Sequence, residues 1–388
     1  MKKNVSAKRS RKLLFVCGED WYFVSHRIGL GRAALVRGDE VIVACNANDA
    51  AVQLRAEGFR VIDVPIARGG LSPLKSLKTI RALACLIRRE QPDVVINVAI
   101  QCVVLSCLAG LMVGARRSVN MVTGLGFMFV SNGTKARLVR TVVSMLLRFY
   151  TRFPSIHIIV QNSDDFDLMR EFGFREARLS LVRGSGVDIR QFHPGEQDGI
   201  DGLRKTVIFV ARMLWSKGLA ELVDAARILK SRARDYRILL VGDSDPVNPD
   251  SADTESLVKW QNDGLIEWLG KRNDVAELLR QSDLAVLPSW REGLPKSLLE
   301  AAASGLAMVA TDVPGCREIV KQEQTGLLVG LGDAEALADA IENLMEDDAK
   351  RQKFGQNARA MVEQELCDAV IIRETLDVIS GKPGLMPQ

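Results

Sequence analysis

Short apolar runs alternate with longer amphipathic stretches along most of the chain. "KLLFVC" (12–17), "DEVIVAC" (39–45), "FRVIDVP" (59–65), "PDVVINV" (92–98) and "IHIIVQN" (156–162) are short runs rich in apolar, mostly β-branched residues. Such runs predict strands covered on both faces, the habit of parallel sheets. Between them, "SLKTIRALACLIRRE" (76–90) places its apolar residues at helical spacing. After the Gly/Pro/Asp-rich stretch 184–202 the alternation restarts, with "KTVIFVARM" (205–213), "YRILLVGD" (236–243), "LIEWLG" (265–270), "LAVLPS" (284–289) and "LAMVAT" (306–311). The pattern predicts an α/β protein of two Rossmann-like domains with parallel sheets facing across a cleft. The first covers 1–190, a linker 191–202, the second 203–365, and a helix with a loose tail 366–388.

Two segments raise the question of a membrane. The basic opening "MKKNVSAKRSRKLLFVCG" has an apolar core too short for a secretory leader, and it predicts a basic tail feeding a first strand. "VVINVAIQCVVLSCLAGLMVGA" (94–115) is long enough to span a bilayer, but Asn97, Gln101 and Ser106 interrupt it. A buried strand followed by a helix is the reading preferred here, with a membrane span as the alternative.

Composition changes this picture at two points. The net charge of +4 conceals a division: residues 1–200 hold 29 Lys and Arg against 17 acidic residues, and residues 201–388 hold 23 against 31. One half is thus suited to an anionic surface or ligand. The seven cysteines lie mostly in apolar runs without CxxC spacing, as buried reduced thiols do, and no His/Cys/carboxylate cluster has metal-ligand spacing. No nucleic-acid partner, cofactor or metal is expected.

Candidate chemistry gathers in the second half. Arg212 follows the strand "VIFVA" and Lys217 lies five residues on, a fork and a point charge suited to a diphosphate, or two solvated loop cations. In "LPSWREGLPKSLLEAAASG" a strand ends near Ser289, Pro295 suits a first helical turn, and Gly305 stops the helix. The start of that helix offers backbone N–H groups to a phosphate. Glu292 precedes it and Glu300 lies within it. Carboxylates accept well from sugar hydroxyls, so phosphate donors flanked by carboxylates describe a nucleotide-sugar site.

"ARMLWSKG", "EWLGKRNDV", "PSWREGLPKSLLEAAASGLAMVATDVPGCREIV" and "TGLLV" resemble the carboxyl-terminal domain of retaining glycosyltransferases of family 4, with the GT-B fold. "FVSHRIGLGRAALVRGDEV", "VTGLGFMFVS", "VQNSDD" and "GSGVDIRQF" resemble a bacterial branch that extends sugars on undecaprenyl-diphosphate carriers. The resemblance implies transfer of a hexose or N-acetylhexosamine from a UDP-sugar to a lipid-linked saccharide, in surface polysaccharide or glycan assembly. It implies that Arg212 and Lys217 bind the donor diphosphate and assist its departure. Glu300 would accept from the ribose, and Glu292 from the sugar with the backbone near Gly293 and Leu294. The backbone of 270–273 would read uracil, with Arg272 against the base.

The first domain is less defined. Gly18 follows the first strand, where a glycine lets backbone approach a phosphate. His26 is a proton carrier, an acceptor contact or a structural histidine. Many relatives place a histidine after the strand corresponding to "SVNMV". Here that loop holds Thr123, Gly124 and Gly126, which leaves acceptor shaping as its expected role.

A partner surface is expected at 134–153, "TKARLVRTVVSMLLRFYTRF". Read as a helix, Leu138, Val142, Met145, Leu146, Phe149 and Phe153 share a face, with Arg137, Arg140, Arg148 and Arg152 on the other sides. That is a basic amphipathic helix for an anionic membrane surface, or a core-packed helix with a solvated basic edge. The membrane reading predicts a cytoplasmic protein peripheral to the inner face of the cell membrane. Two other functions fit the same architecture, a UDP-N-acetylglucosamine 2-epimerase and a non-catalytic nucleotide-sugar-binding protein.

Overall fold

The structure, a computed structural model, describes residues 10–66, 73–125, 134–195, 205–245, 248–382, 384 and 386. The chain divides into two compact units, Met1–Val182 with Ile372–Gln388, and Arg183–Ile371.

The first unit holds a seven-stranded sheet of β1 (Lys12–Glu19), β2 (Glu40–Asn46), β3 (Arg60–Asp63), β4 (Val94–Val98), β5 (Ser118–Val122), β6 (Ile156–Val160) and β7 (Leu179–Leu181). The order is β3-β2-β1-β4-β5-β6-β7 and every pairing is parallel. Leu13 to Cys17, Val94 to Val98 and Ile156 to Val160 are buried throughout, which is why their sequences do not alternate. Segment 94–115 is strand β4 followed by helix Ile100–Val113, and no helix among the described residues is long and apolar enough to cross a membrane. The span alternative is thereby corrected. The polar residues explain the burial: Asn97 Nδ2 donates to Asn120 Oδ1 at 2.7 Å and to Ser118 Oγ at 3.0 Å inside the sheet layer.

The second unit repeats the scheme with β8 (Thr206–Val210), β9 (Arg237–Val241), β10 (Glu267–Trp268), β11 (Leu284–Leu287), β12 (Ala307–Thr311) and β13 (Gly326–Val329). Their order is β10-β9-β8-β11-β12-β13, again all parallel. Helix Lys296–Ala303 buries Leu298, Leu299 and Ala301 to Ala303 against this sheet, each leucine contributing about 1.5–3 kcal/mol.

The boundaries differ from those expected. The first unit ends at Val182 rather than 190, because Val187 bridges Cys367 and Gly184 lies against Leu294, both within the second unit. The terminal segment, expected as a separate helix and tail, joins the first unit from Ile372 onward. Three arginines account for this: Arg117 donates to Val378 O at 2.8 Å, while Arg11 and Arg37 reach Ser380 Oγ at 3.2 and 3.1 Å.

Candidate active site

In each sheet the connections leave in opposite directions from two neighbouring strands, β1 and β4 in the first unit and β8 and β11 in the second. Open α/β sheets bind ligands beyond the carboxyl ends of such a pair. In the second unit that position is occupied by the loop after β8, carrying Arg212 and Lys217, and the loop after β11, carrying Ser289 to Glu292.

Backbone contacts tie these loops together. Trp290 N donates to Ser216 O at 2.9 Å, and Ser289 Oγ to the same oxygen at 3.2 Å. Thr311 Oγ1, at the end of β12, donates to Ser289 O. Gly218, at φ +77, permits the approach: a Cβ there would fall 2.0 Å from Pro288 O. Within this frame Lys217 Nζ meets Glu292 Oε1 at 2.5 Å, with both side chains largely buried. A charge-assisted bond so placed contributes about 1.5–3 kcal/mol and fixes both groups beyond the carboxyl ends of the two central strands.

Glu300 sits on helix Lys296–Ala303 in a largely buried position, with Lys296 Nζ at 3.5 Å. Burial pushes its carboxyl above the usual range, and Lys296 opposes the shift. Leu294 packs against Gly184. The start of helix Pro314–Ile319 presses on the backbone beneath Glu292, where a Cβ on Gly315 would lie 2.5 Å from Gly293 O. The Glu292–Gly293 backbone is therefore backed closely by the start of helix Pro314–Ile319.

Arg212 is mostly exposed and pairs with Asp245 at 3.0 Å. Arg272 lies in an exposed loop, gripped by Asp274 through bonds of 2.8 and 2.5 Å. In the first unit Gly18 lies near the carboxyl end of β1 with open space where a Cβ would project. His26 ends a short helix, its ring stacked on Tyr22 at 4.3 Å and its Nδ1 2.6 Å from Ser25 Oγ. Thr123 and Gly124 follow β5, Gly124 at φ +108, while Gly126 lies outside the described residues.

Sequence reasoning missed the carboxylates that hold the cations, Asp245, Asp274 and the pairing of Lys217 with Glu292 itself. It also missed Gly315, although "VPGCREI" signals a tight helix start. Ala99, the residue after β4, adopts φ +71, strained for a residue with a Cβ, at the first unit's own strand reversal. No residue-type signal could have revealed it.

Helix Thr134–Tyr150 resolves the expected amphipathic segment into two apolar stripes. Val143, Leu147 and Tyr150 face the core, where Tyr150 Oη donates to Val104 O at 2.7 Å. Leu138, Val142, Met145 and Phe149 are exposed, Leu138 and Met145 to about two-thirds. Leu146 and Phe153, expected on that outer face, are partly buried.

Residues 195–361 match the family Glycosyl transferases group 1, and residues 12–157 match Glycosyl transferase 4-like. Over 86% of this chain and 89% of the relative, 32% of residues are identical to the N,N'-diacetylbacillosaminyl-diphospho-undecaprenol alpha-1,3-N-acetylgalactosaminyltransferase of Campylobacter jejuni. The UDP-Gal:alpha-D-GlcNAc-diphosphoundecaprenol alpha-1,3-galactosyltransferase of Escherichia coli is 27% identical over 75% of this chain and 76% of its own. Among solved structures, Anabaena HepE in complex with UDP-glucose superposes with a TM-score of 0.76 at 20% identity, covering 95% of this chain and 99% of that one.

Proposed function

This chain belongs to the family 4 glycosyltransferases and has the GT-B fold, and from that premise we propose that it moves a hexose or N-acetylhexosamine from a UDP-sugar to an undecaprenyl-diphosphate-linked saccharide, retaining anomeric configuration, at the inner face of the cell membrane. As a glycosyltransferase it is neither the epimerase nor the non-catalytic binder of the alternative readings. The observation that carries the proposal is the Lys217–Glu292 pair at the end of β8 and β11, with Glu300 on the helix that follows.

Lys217 has three N–H donors, so it can keep Glu292 and still donate to a phosphate oxygen. Arg212 would release Asp245 and fork onto the same diphosphate. As the bond to the sugar breaks, negative charge grows on the leaving diphosphate, and both cations with the start of helix Lys296–Ala303 stabilise it. Glu292 would accept from sugar hydroxyls and Glu300 from the ribose. The acceptor hydroxyl would attack from the face the leaving group vacates, passing its proton to the departing phosphate oxygen, which retains configuration. Because cations already serve the diphosphate, we propose that no metal ion is needed. Gly18 is assigned to the donor's phosphate, and His26 and the Thr123–Gly124 loop to the acceptor side.

The donor reading predicts that UDP and a UDP-sugar raise the melting temperature and that GDP- and ADP-sugars do not, since a ligand of the folded state stabilises by mass action. Sugar transfer to an undecaprenyl-diphosphate-linked acceptor, in EDTA, is the companion assay. A shift with a GDP-sugar alone would overturn the uracil assignment, and activity lost in EDTA but restored by magnesium would overturn the metal-free one.

A further inference from the structure

At the amino ends of β5, β6 and β7, the end of the first sheet opposite its ligand-binding edge, a cavity of about 480 Å³ opens among Arg116, Arg117, His157, Arg178 and Lys382. Two of its cations have local counter-charges, Arg116 with Asp93 at 3.0 Å and Lys382 with Asp377 at 2.8 Å. Among the described residues the other two do not. Arg178 donates only to carbonyls, Phe153 O at 2.8 Å and Thr151 O at 2.6 Å. Arg117 donates to Val378 O at 2.8 Å, and its Nε is buried with no partner among the described residues.

Desolvation lowers both guanidiniums from their ordinary range, the direction expected when burial is not answered by a carboxylate. His157, its Nε2 at 2.8 Å from Ser180 Oγ, is driven down to about 4 by burial and then by Arg117 and Arg178. It is therefore neutral at physiological pH and adds no charge. Two partly buried guanidiniums with no carboxylate partner among the described residues, beside a cavity, are an excess of positive charge that an anion would offset, and guanidinium forks match phosphate oxygens.

We propose that this cavity binds a phosphate group, as a second anion site separate from the nucleotide-sugar site. The group can come from a soluble phosphate or from the headgroup of an anionic lipid. The tail backbone lies close against one side of Arg117: a Cβ on Gly381 would fall 2.8 Å from its Nη1.

The test is calorimetric titration of pyrophosphate into the parent chain, K217A, R117Q and K382Q, with the melting temperature of each recorded. Binding that survives in K217A, weakens about tenfold in R117Q and about threefold in K382Q establishes a soluble phosphate site, the larger loss reflecting a lost charge-assisted bond. K382Q keeps the experiment decisive should R117Q fold poorly, because Lys382 is exposed. No heat with pyrophosphate, but retention on phosphatidylglycerol vesicles that R117Q or K382Q lowers and phosphatidylcholine vesicles do not support, assigns the site to a lipid headgroup. If K217A abolishes pyrophosphate binding and neither cavity variant changes vesicle retention, the cavity is no anion site.

Discussion

At the scale of single residues, each cation that recognises phosphate in the proposed donor site already holds a carboxylate: Lys217 with Glu292, Arg212 with Asp245. The first is the better buried and the more consequential, because removing either member leaves its partner charged and largely desolvated. We expect K217A to lower turnover by about a hundredfold or more, the loss typical when a group that stabilises developing charge is removed, and E292A to cost about as much because it also leaves Lys217 without its partner. Groups that act as a unit do not add, so the double variant should be little worse than the poorer single one. Sugar-transfer kinetics on the four proteins decide this, and losses that multiply would mean the two act independently. The glutamate spacing was legible in the sequence because both carboxylates flank one helix start. The pairing was not: Lys217 and Glu292 are 75 residues apart, and only the adjacency of β8 and β11 brings them together.

At the scale of elements, buried strands were the most legible part, since a short apolar-rich run covered on both sides has few other uses. Strands β7 ("LSL") and β13 ("GLLV") were not read as strands. The end of the chain also escaped: its attachment to the first unit rests on arginines far upstream, which no local pattern encodes. Helix Asp368–Ile379 also carries a testable cost at its first residue. Burial, then the neighbouring Asp188, pushes the Asp368 carboxyl up to about 6, against Lys296. Below about pH 4 the folded and unfolded chains are both protonated there and the group is neutral in its effect. Between about pH 4 and 6 the unfolded chain ionises there while the folded chain keeps its proton, so stability falls across that window, and above 6 the penalty is fully present and constant. D368N removes that charge and should gain on the order of 1 kcal/mol at pH 7.5, discounted for partial exposure, which is about 2–4 °C. The gain should vanish near pH 4. Thermal melts at pH 4, 6 and 7.5 read it directly, and a variant less stable than the parent at pH 7.5 would refute the assignment.

At the scale of the whole molecule, charge and exposed apolar surface converge on the first unit. Residues 1–200 carry the basic excess, and helix Thr134–Tyr150 exposes Leu138, Val142, Met145 and Phe149 in a stripe bordered by arginines. The sequence foresaw an amphipathic helix but not that its apolar surface divides, one stripe packing inward and the other left outside. The inner stripe satisfies the core-packed reading; the outer one has no such use, and the proposed lipid-linked acceptor would supply one. Each arginine near an anionic leaflet is worth about 1 kcal/mol, an attraction that fades as salt shortens the Debye length below roughly 10 Å. The apolar stripe contributes independently of salt. Binding to liposomes should therefore require anionic lipid and weaken with salt, and changing Arg137, Arg140 and Arg148 together to glutamate should abolish it. L138N with M145N should instead weaken binding at every salt concentration, while leaving the salt dependence in place. Both variants should keep the UDP-induced thermal shift, because the cations and carboxylates of the donor site belong to the other unit. A triple glutamate variant that pellets with anionic liposomes as fully as the parent would remove this helix from the membrane contact and shift attention to the other basic surfaces of the first unit.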